Sequence, residues 1–229
     1  MGCIDLASQV SIIGMSPSSS AMKTKIPAAK LTIDRFIAIA KFGSRCEMTP
    51  YALRAVKRGA AAVQKIVREK TVVYGVNTGV GDLCDVFLSD SKLLKLQENL
   101  IMSHACGSEP YFDDNIARGA QLLVINARAK GYSGLMEGTI QKLITLFNHD
   151  IVPLLPMQGS LGASGDLIPL AHLALPLLGE GNVRIKGKRV PAKQVLQKLG
   201  IAHALAPKEA LGLINGTEGQ PSQSAFVVW

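Results

Sequence analysis

Three consecutive small residues, Ala163, Ser164 and Gly165, have the clearest chemical potential in this chain. Gly165 has no Cβ, so its amide nitrogen can come close to the Ala163 carbonyl carbon in a compressed loop. Attack by that nitrogen and loss of water would close a five-membered ring. Loss of the Ser164 hydroxyl would then leave an exocyclic methylidene. The product would be an electrophilic imidazolone made from the backbone alone.

The residues on either side of this tripeptide fit the same chemistry. Gly162 precedes it and gives the loop freedom to compress, and Asp166 follows where a helix is predicted to begin. A ring at a helix N-terminus would face free backbone N–H groups, which stabilise negative charge. The alternative is structural, because Ser164-Gly165-Asp166 also matches a helix cap after a flexible loop. Taken alone, these few residues favour the cap.

The elements that must position the tripeptide are predicted to be mainly α-helical, with small β-pieces. The chain is 48% hydrophobic but only 5% aromatic, which favours an aliphatic helical protein. Hydrophobic periodicity and capping residues predict helices at 32–40, 50–68, 114–129, 138–147, 166–178, 191–199 and 206–214. Another helix is predicted to begin near Ser89 or Asp90 and to face inward with its apolar residues Leu93, Leu94, Leu96, Leu100 and Ile101. Alternation around Lys186-Gly187 predicts a hairpin at 183–190, and 71–74 is a short β-prone piece. Residues 1–29 are predicted to be a flexible tail.

The net charge of +8 belongs to the N-terminal third of the chain. Residues 1–70 contain 12 Lys and Arg against 4 Asp and Glu, whereas residues 71–229 contain 13 of each kind. Arg54, Lys57, Arg58, Lys65 and Arg68 recur on one predicted helix face, with no aromatic residues among them to stack on bases. We therefore predict a solvated helix face and no nucleic-acid partner.

The remaining composition argues for a cytoplasmic protein without a metal. The four cysteines form no CxxC pair and no metal-ligand spacing, which is typical of proteins in a reducing compartment. No apolar run reaches the roughly 18 residues that a membrane span requires. The sequence therefore predicts no membrane partner and no metal site.

Several further segments resemble the family of histidine and aromatic amino-acid ammonia-lyases and the related aminomutases. The similar segments occur in family order between about 71 and 217: YGVNTGVG at 74–81, LQENLIMSH at 96–104, GYSG at 131–134, PMQGSLGASGDL at 156–167, PLAH at 169–172, LGEG at 178–181, PKE at 207–209 and NGT at 215–217. The resemblance implies an ammonia-lyase-like N-terminal domain. It also implies that Ala163-Ser164-Gly165 becomes a 4-methylidene-imidazol-5-one, without a dissociable cofactor.

The resemblance also implies roles for individual residues. Tyr74 matches the catalytic tyrosine that removes the β-proton, so its site must stabilise the phenolate. Gly75 and Gly81 belong to the loop around it, which fits a lid that closes over substrate. Asn215 matches an asparagine that supports the prosthetic ring and the substrate. From the residue alone, a buried structural tyrosine at the end of a strand is the simpler interpretation of Tyr74.

His104 lies where the family selects the side chain of the substrate. A buried polar group requires a polar partner, so a histidine suits a polar ring better than a bare phenyl ring. Histidine is therefore slightly favoured as substrate, with tyrosine next. A structurally satisfied histidine is the alternative, and Glu218 stands where histidine lyases usually have glutamine. Lyase and 2,3-aminomutase use the same residues and stay open.

The chain is roughly half the length of a full family member. We expect a tail at 1–29, a prosthetic-group-bearing domain at 30–206 and, at 207–229, the start of a mostly missing central helical bundle. The end at 219–224 is polar and contains Pro221, where family members continue as apolar helix. Family members are homotetramers whose active sites combine several subunits. We therefore expect this chain alone to be inactive, as a fragment or as a truncated paralogue of a lyase.

Overall fold

The computed structural model describes residues 23–28, 30–161, 165–202 and 204–229. The helices are α1 (Ile33–Phe42), α2 (Pro50–Glu69), α3 (Asp90–His104), α4 (Asp114–Arg128), α5 (Glu137–Asn148), α6 (Leu167–Ala174), α7 (Ala192–Leu199), α8 (Glu209–Ile214) and α9 (Gly219–Val228). The strands are β1 (Lys23–Ile26), β2 (Arg45–Met48), β3 (Ser108–Tyr111), β4 (Val152–Pro153), β5 (Pro156–Gln158), β6 (Asn182–Ile185) and β7 (Lys188–Pro191). The predicted class, mainly α with small β-pieces, is confirmed.

Local capping chemistry explains where several helices begin. The Thr32 hydroxyl accepts the Arg35 amide at the start of α1, and the Thr49 hydroxyl accepts the Ala52 amide at the start of α2. Asp113 caps α4 by accepting the amide of Asn115. Each cap satisfies a backbone donor that has no partner inside its helix. These starts agree with the predicted ones.

Helix α4 is the centre of the core. It packs against α1, α5 and α9, and Ile125 and Phe147 are fully buried where these helices meet. Two arginines of α4, Arg118 and Arg128, are also buried. A buried arginine requires carbonyl or carboxylate partners, so each must be paired within the fold. Helices α3, α6 and α8 form a second packed group beside this core.

The strands form three small sheets. β1 and β2 are parallel, β3 and β5 are antiparallel, and β4, β6 and β7 form an antiparallel sheet. The hairpin of β6 and β7 turns at Lys186 and Gly187, both with positive φ, which matches the twist of paired strands. The predicted hairpin is therefore confirmed.

Three local predictions are corrected by the structure. Strand β1 lies inside the stretch predicted as a tail, because residues 23–26 pair with β2 and bury Ile26 completely. The β-prone piece at 71–74 is no strand, and its backbone groups bond to the Asn77 side chain instead. Leu94, predicted to face inward on α3, is 52% exposed. The predicted division at residue 207 stays a prediction.

Two further segments, at 166–178 and at 219–224, also differ from the expectation. The helix predicted at 166–178 is α-helical only over 167–174 and continues as a tighter 3₁₀ turn over Leu175–Leu178. Pro221 does not break the C-terminal segment, because it lies in the first turn of α9. An amide in the first turn has no partner inside the helix, so a proline is tolerated there.

The basic residues of α2 face solvent, as predicted. All five basic residues of this helix are exposed: Arg54, Lys57, Arg58, Lys65 and Arg68. Among the helices that the structure describes, none has both the length and the apolar character needed to cross a membrane.

Candidate active site

The tripeptide Ala163-Ser164-Gly165 is described only at its C-terminal end. Gly162, Ala163 and Ser164 lie outside the described residues. A Cβ added to Gly165 would lie 3.3 Å from the Gly216 carbonyl oxygen, closer than most real Cβ contacts. The next amide, that of Asp166, donates to the same Gly216 oxygen at 2.7 Å. The end of the tripeptide is thus bonded directly to the segment that follows Asn215.

Asp166 has a different structural role from the one its sequence position predicts. It precedes the first residue of α6, but its side chain does not cap that helix. Instead its Oδ2 atom accepts the amide of Gln220 at 2.9 Å, in the first turn of α9. Asp166 is 2% exposed. Asp166 therefore occupies the N-cap position of α6, as the cap interpretation requires, but its carboxylate joins the loop to another helix.

Asn215 immediately follows α8, and its side chain is exposed. The backbone around it is bonded to Arg128, the last residue of α4. The Arg128 Nε atom donates to Gly212 O at 2.8 Å, and Nη2 donates to Leu213 O at 3.1 Å. Nη1 forms an ion pair with Glu218. One buried guanidinium therefore satisfies the carbonyl end of α8 and fixes the turn that carries Asn215.

Sequence reasoning assigned no function to Arg128. The available signal was an arginine at a position that the helical period of α4 predicts to be buried. Such a residue must be paired with acceptors elsewhere in the chain. Arg118 gives the same signal, so this pattern identifies buried arginines without telling which one serves a site.

Tyr74 lies in the first glycine-rich loop, which is stabilised by its own side chains. The Asn77 carboxamide accepts the Val73 amide at 2.9 Å and donates to Thr71 O at 2.8 Å. Gly75 and Gly81 both have positive φ, which glycine adopts without strain. The side chain of Tyr74 is 57% exposed. The predicted buried tyrosine at a strand end is therefore wrong.

The Tyr74 loop meets the other segments at α8. A Cβ on Gly75 would lie 2.4 Å from the Leu211 Cδ2 atom, so the loop packs tightly on this helix. The Tyr74 hydroxyl itself accepts the Gly81 amide at 3.3 Å. No hydrogen bond joins Tyr74 to Gly165 or Asn215 among the described residues. The structure thus brings the Tyr74 loop to the helix before Asn215, while the phenol hydroxyl is bonded within its own loop and the side chain is partly in solvent.

His104 is the last residue of α3 and is half-buried. Its Nδ1 atom lies 2.8 Å from Leu100 O and 3.2 Å from the Ser103 hydroxyl. Donation from Nδ1 to the carbonyl leaves Nε2 as an acceptor. The local bond agrees with the alternative of a structurally satisfied histidine, while the second ring nitrogen is left for another partner.

Two polar residues, the buried Gln97 and the half-buried His172, hold α3 in place. The Gln97 amide oxygen accepts the Ala210 amide of α8 at 3.0 Å. His172 of α6 accepts the Gly107 amide through Nε2 at 3.1 Å, just beyond the end of α3. Burial lowers the pKa of His172 below 6.5, which favours the neutral ring that this bond requires. Both residues occur in similar segments, but sequence reasoning assigned them no role.

A cavity of about 180 Å³ borders the reactive loop. Asp166, Phe112 and Met157 line it together with the first residues of α9. A larger cavity of about 630 Å³ lies between β1, β2 and α5, among Lys23, Lys25 and Glu47. The smaller cavity is the one relevant here, because the Asp166–Gly216 contact lies at its edge. Within the described ranges, no three His, Cys, Asp or Glu residues are grouped so as to hold a metal ion.

The fold is mainly helical, and its second glycine-rich loop is bonded to the turn that follows the short helix α8. These features place the chain in a known family. The sequence profile named aromatic amino acid lyase matches residues 31–229. The chain therefore belongs to the aromatic amino acid lyase family.

Sequence relatives of the chain include histidine ammonia-lyases of bacteria. The chain is 47% identical over 188 residues to the Streptococcus gordonii enzyme, covering 82% of this chain and 37% of that protein. It is 50% identical over 177 residues to the Geobacillus sp. (strain WCH70) enzyme, covering 77% and 35%. The chain thus spans less than two fifths of the length of these relatives.

Solved structures show the same relationship. Histidine ammonia-lyase from Trypanosoma cruzi superposes with a TM-score of 0.83 at 36% identity, covering 90% of this chain and 41% of that chain. Tyrosine aminomutase from Streptomyces globisporus superposes with a TM-score of 0.84 at 32% identity, covering 90% and 39%. Both a lyase and an aminomutase therefore share this fold.

Proposed function

We propose that this chain is the prosthetic-group-bearing part of an ammonia-lyase that removes ammonia from L-histidine. The observation that carries the proposal is the bond from the Asp166 amide to the Gly216 carbonyl. It joins the end of the tripeptide Ala163-Ser164-Gly165 to the turn that contains Asn215. The similarity to histidine ammonia-lyases supports the choice of substrate.

The residues at this position fit a methylidene-imidazolone. Gly165 lies close to the Gly216 carbonyl, where an added Cβ would make a contact of 3.3 Å, tighter than most, and this suits a close backbone approach at this residue. Once formed, the group would supply an electrophile for the amine of the substrate. Asn215 would hold the substrate beside it.

Proton removal is assigned to Tyr74. Its hydroxyl already accepts a backbone amide, that of Gly81, and a donor of this kind stabilises a phenolate. The exposure of Tyr74 in this chain fits a loop that closes over bound substrate. In this proposal the glycines at 75 and 81 permit the loop conformation, and Tyr74 removes the β-proton.

His104 is proposed to select the substrate ring. Its Nε2 atom, as an acceptor, would pair with an N–H group of an imidazole. The glutamate at 218 does not argue against histidine, because Glu218 is engaged by Arg128 and 12% exposed. A tyrosine substrate is second, and the tyrosine aminomutase of the same fold keeps a 2,3-aminomutase reaction as the second candidate function.

The first experiment is the intact mass of the purified 229-residue chain. We expect a deficit of two waters, localised by peptide mapping to 163–165, because cyclisation and dehydration each release one. Ser164→Ala is the matched variant. It should not lose the second water, because alanine has no hydroxyl to eliminate. A wild-type chain of full mass would contradict the proposed prosthetic group and favour a noncatalytic paralogue.

The second experiment concerns activity and substrate. A full-length form containing this chain, which we propose is a cytoplasmic homotetramer, should release ammonia from histidine faster than from tyrosine or phenylalanine. The 229-residue chain alone should release none. A β-amino acid product would identify the aminomutase instead, and ammonia release by the chain alone would refute the need for the remaining part.

A further inference from the structure

Helix α4 contains two buried arginines that make similar bonds in different places. Arg118 donates to Ala40 O and Phe147 O and pairs with Asp150. Arg128 donates to Gly212 O and Leu213 O and pairs with Glu218. Their side chains are 8% and 6% exposed. Only Arg128 is bonded to the turn that receives the reactive loop.

The Arg128–Glu218 ion pair lies directly against Gly216. A Cβ on Gly216 would lie 2.1 Å from Glu218 Oε2 and 2.9 Å from Arg128 Nη2. The two charged groups therefore occupy the space where a side chain of residue 216 would be. Because Gly216 has no side chain, its backbone rests on the ion pair, and its position depends on where the pair lies.

The carbonyl of this same glycine accepts the Asp166 amide. Contacts therefore run without interruption from the ion pair through Gly216 to the residue after Gly165. The guanidinium is suited to this task because it has five donors in a planar arrangement, so it can bond to two carbonyls and a carboxylate at once. A lysine has one ammonium group and cannot make these bonds together.

We propose that Arg128 and Glu218 are positioning residues for formation of the prosthetic group. They hold the Gly216 carbonyl where it fixes the amide of Asp166, the residue that directly follows Ala163-Ser164-Gly165. The assignment of a ring rests on the proposed function. The placement of the Asp166 amide by the ion pair does not, and it can be tested separately.

The test compares Arg128→Lys with Arg118→Lys in the full 229-residue chain. Both substitutions remove a buried guanidinium from α4, and only the first affects the contacts to Gly216. The first readout is hydrogen exchange of the Asp166 amide by NMR, with protection of the α4 amides as the reference. We expect exchange at Asp166 to become about tenfold faster, relative to that reference, only in Arg128→Lys.

The second readout is the fraction of folded chains that have lost two waters. This fraction should fall in Arg128→Lys and stay at the wild-type level in Arg118→Lys. Glu218→Ala should behave like Arg128→Lys. Glu218→Gln retains the acceptor oxygen and the volume, so it should give an intermediate result. These two variants keep the test possible if Arg128→Lys does not fold.

Equal effects of the two arginine substitutions on Asp166 exchange would overturn the proposal, because Arg128 would then be a general structural residue. An unchanged Asp166 amide in both Arg128→Lys and Glu218→Ala would also overturn it. A wild-type chain of full mass would instead refute the proposed prosthetic group. The exchange measurement would still decide whether the ion pair positions this amide.

Discussion

The two glycine-rich loops of the candidate site are stabilised in different ways. The loop at 74–81 is stabilised mainly from within, by the Asn77 side chain, and Tyr74 is more than half exposed. The loop that ends at Gly165 is bonded to residues far away in sequence, through Gly216, Arg128 and Glu218. The first arrangement permits the loop that carries Tyr74 to move as a unit, whereas the second restricts movement where the proposed prosthetic group would form.

This difference has a physical reason. A loop stabilised by its own hydrogen bonds can shift without breaking contacts to the rest of the protein. A loop bonded to a buried ion pair cannot shift unless charges lose their partners in a region of low dielectric. Substitutions in the two regions should therefore differ in size and in range.

The largest effect is expected for Arg128→Leu. Removing the guanidinium leaves Glu218 buried without its partner, which should lower the free energy of unfolding by about 3–5 kcal/mol. Urea denaturation followed by circular dichroism measures it. Lys95→Ala, which breaks the exposed pair with Glu98, is the control and should cost less than about 1 kcal/mol. Equal losses in the two variants would show that the buried Arg128–Glu218 pair is no more costly to break than an exposed pair.

Asn77→Ala should have an intermediate effect. Asn77 is 1% exposed and makes two hydrogen bonds within the Tyr74 loop, so its truncation should cost about 1–3 kcal/mol. Hydrogen exchange should become faster at residues 73–81 and stay unchanged at Asp166. Faster exchange at Asp166 would show that the two loops are coupled and would contradict their separate stabilisation.

The pH dependence of stability should reveal His172. Because burial lowers its pKa in the folded chain, the unfolded chain binds the proton more readily. The resulting stability is present above pH 6.5 and is lost as the pH falls through the interval between 6.5 and the lower pKa of the folded state. His172→Gln can still accept the Gly107 amide but does not titrate, so its stability should change less over this interval. Urea denaturation at several pH values measures this free energy of unfolding, with His149→Gln as the control. Parallel pH profiles of wild type and His172→Gln would contradict the prediction.

The smallest effect on stability is expected for Tyr74→Phe. The phenol is 57% exposed and its hydroxyl makes one 3.3 Å bond, so the change should stay within about 0.5 kcal/mol. In a full-length form, the same variant should lose at least about 100-fold in elimination rate, because a general base typically contributes that much. A large loss of stability would mean that Tyr74 is structural, as the simpler interpretation of its sequence position holds.

Local chemistry explains why many helix starts were predictable. Thr32, Thr49 and Asp113 accept amides two or three residues ahead, so neighbouring residues decide where these helices begin. The turn at Lys186 and Gly187 is equally local. The failures have two causes. β1 exists because β2, far from it in sequence, pairs with it, whereas 71–74 is no strand because the nearby Asn77 side chain takes its backbone groups.

The sequence by itself determined the family and most of the helices. The order Ala163-Ser164-Gly165, the tyrosine in a glycine-rich loop and the asparagine at 215 are properties of residue type and spacing. Tertiary structure decided what holds these parts together. Arg128 and Glu218 are 90 residues apart, so no local pattern pairs them. Only the packing of α4 against α8 and α9 brings both charges beneath Gly216, where burial makes their separation costly.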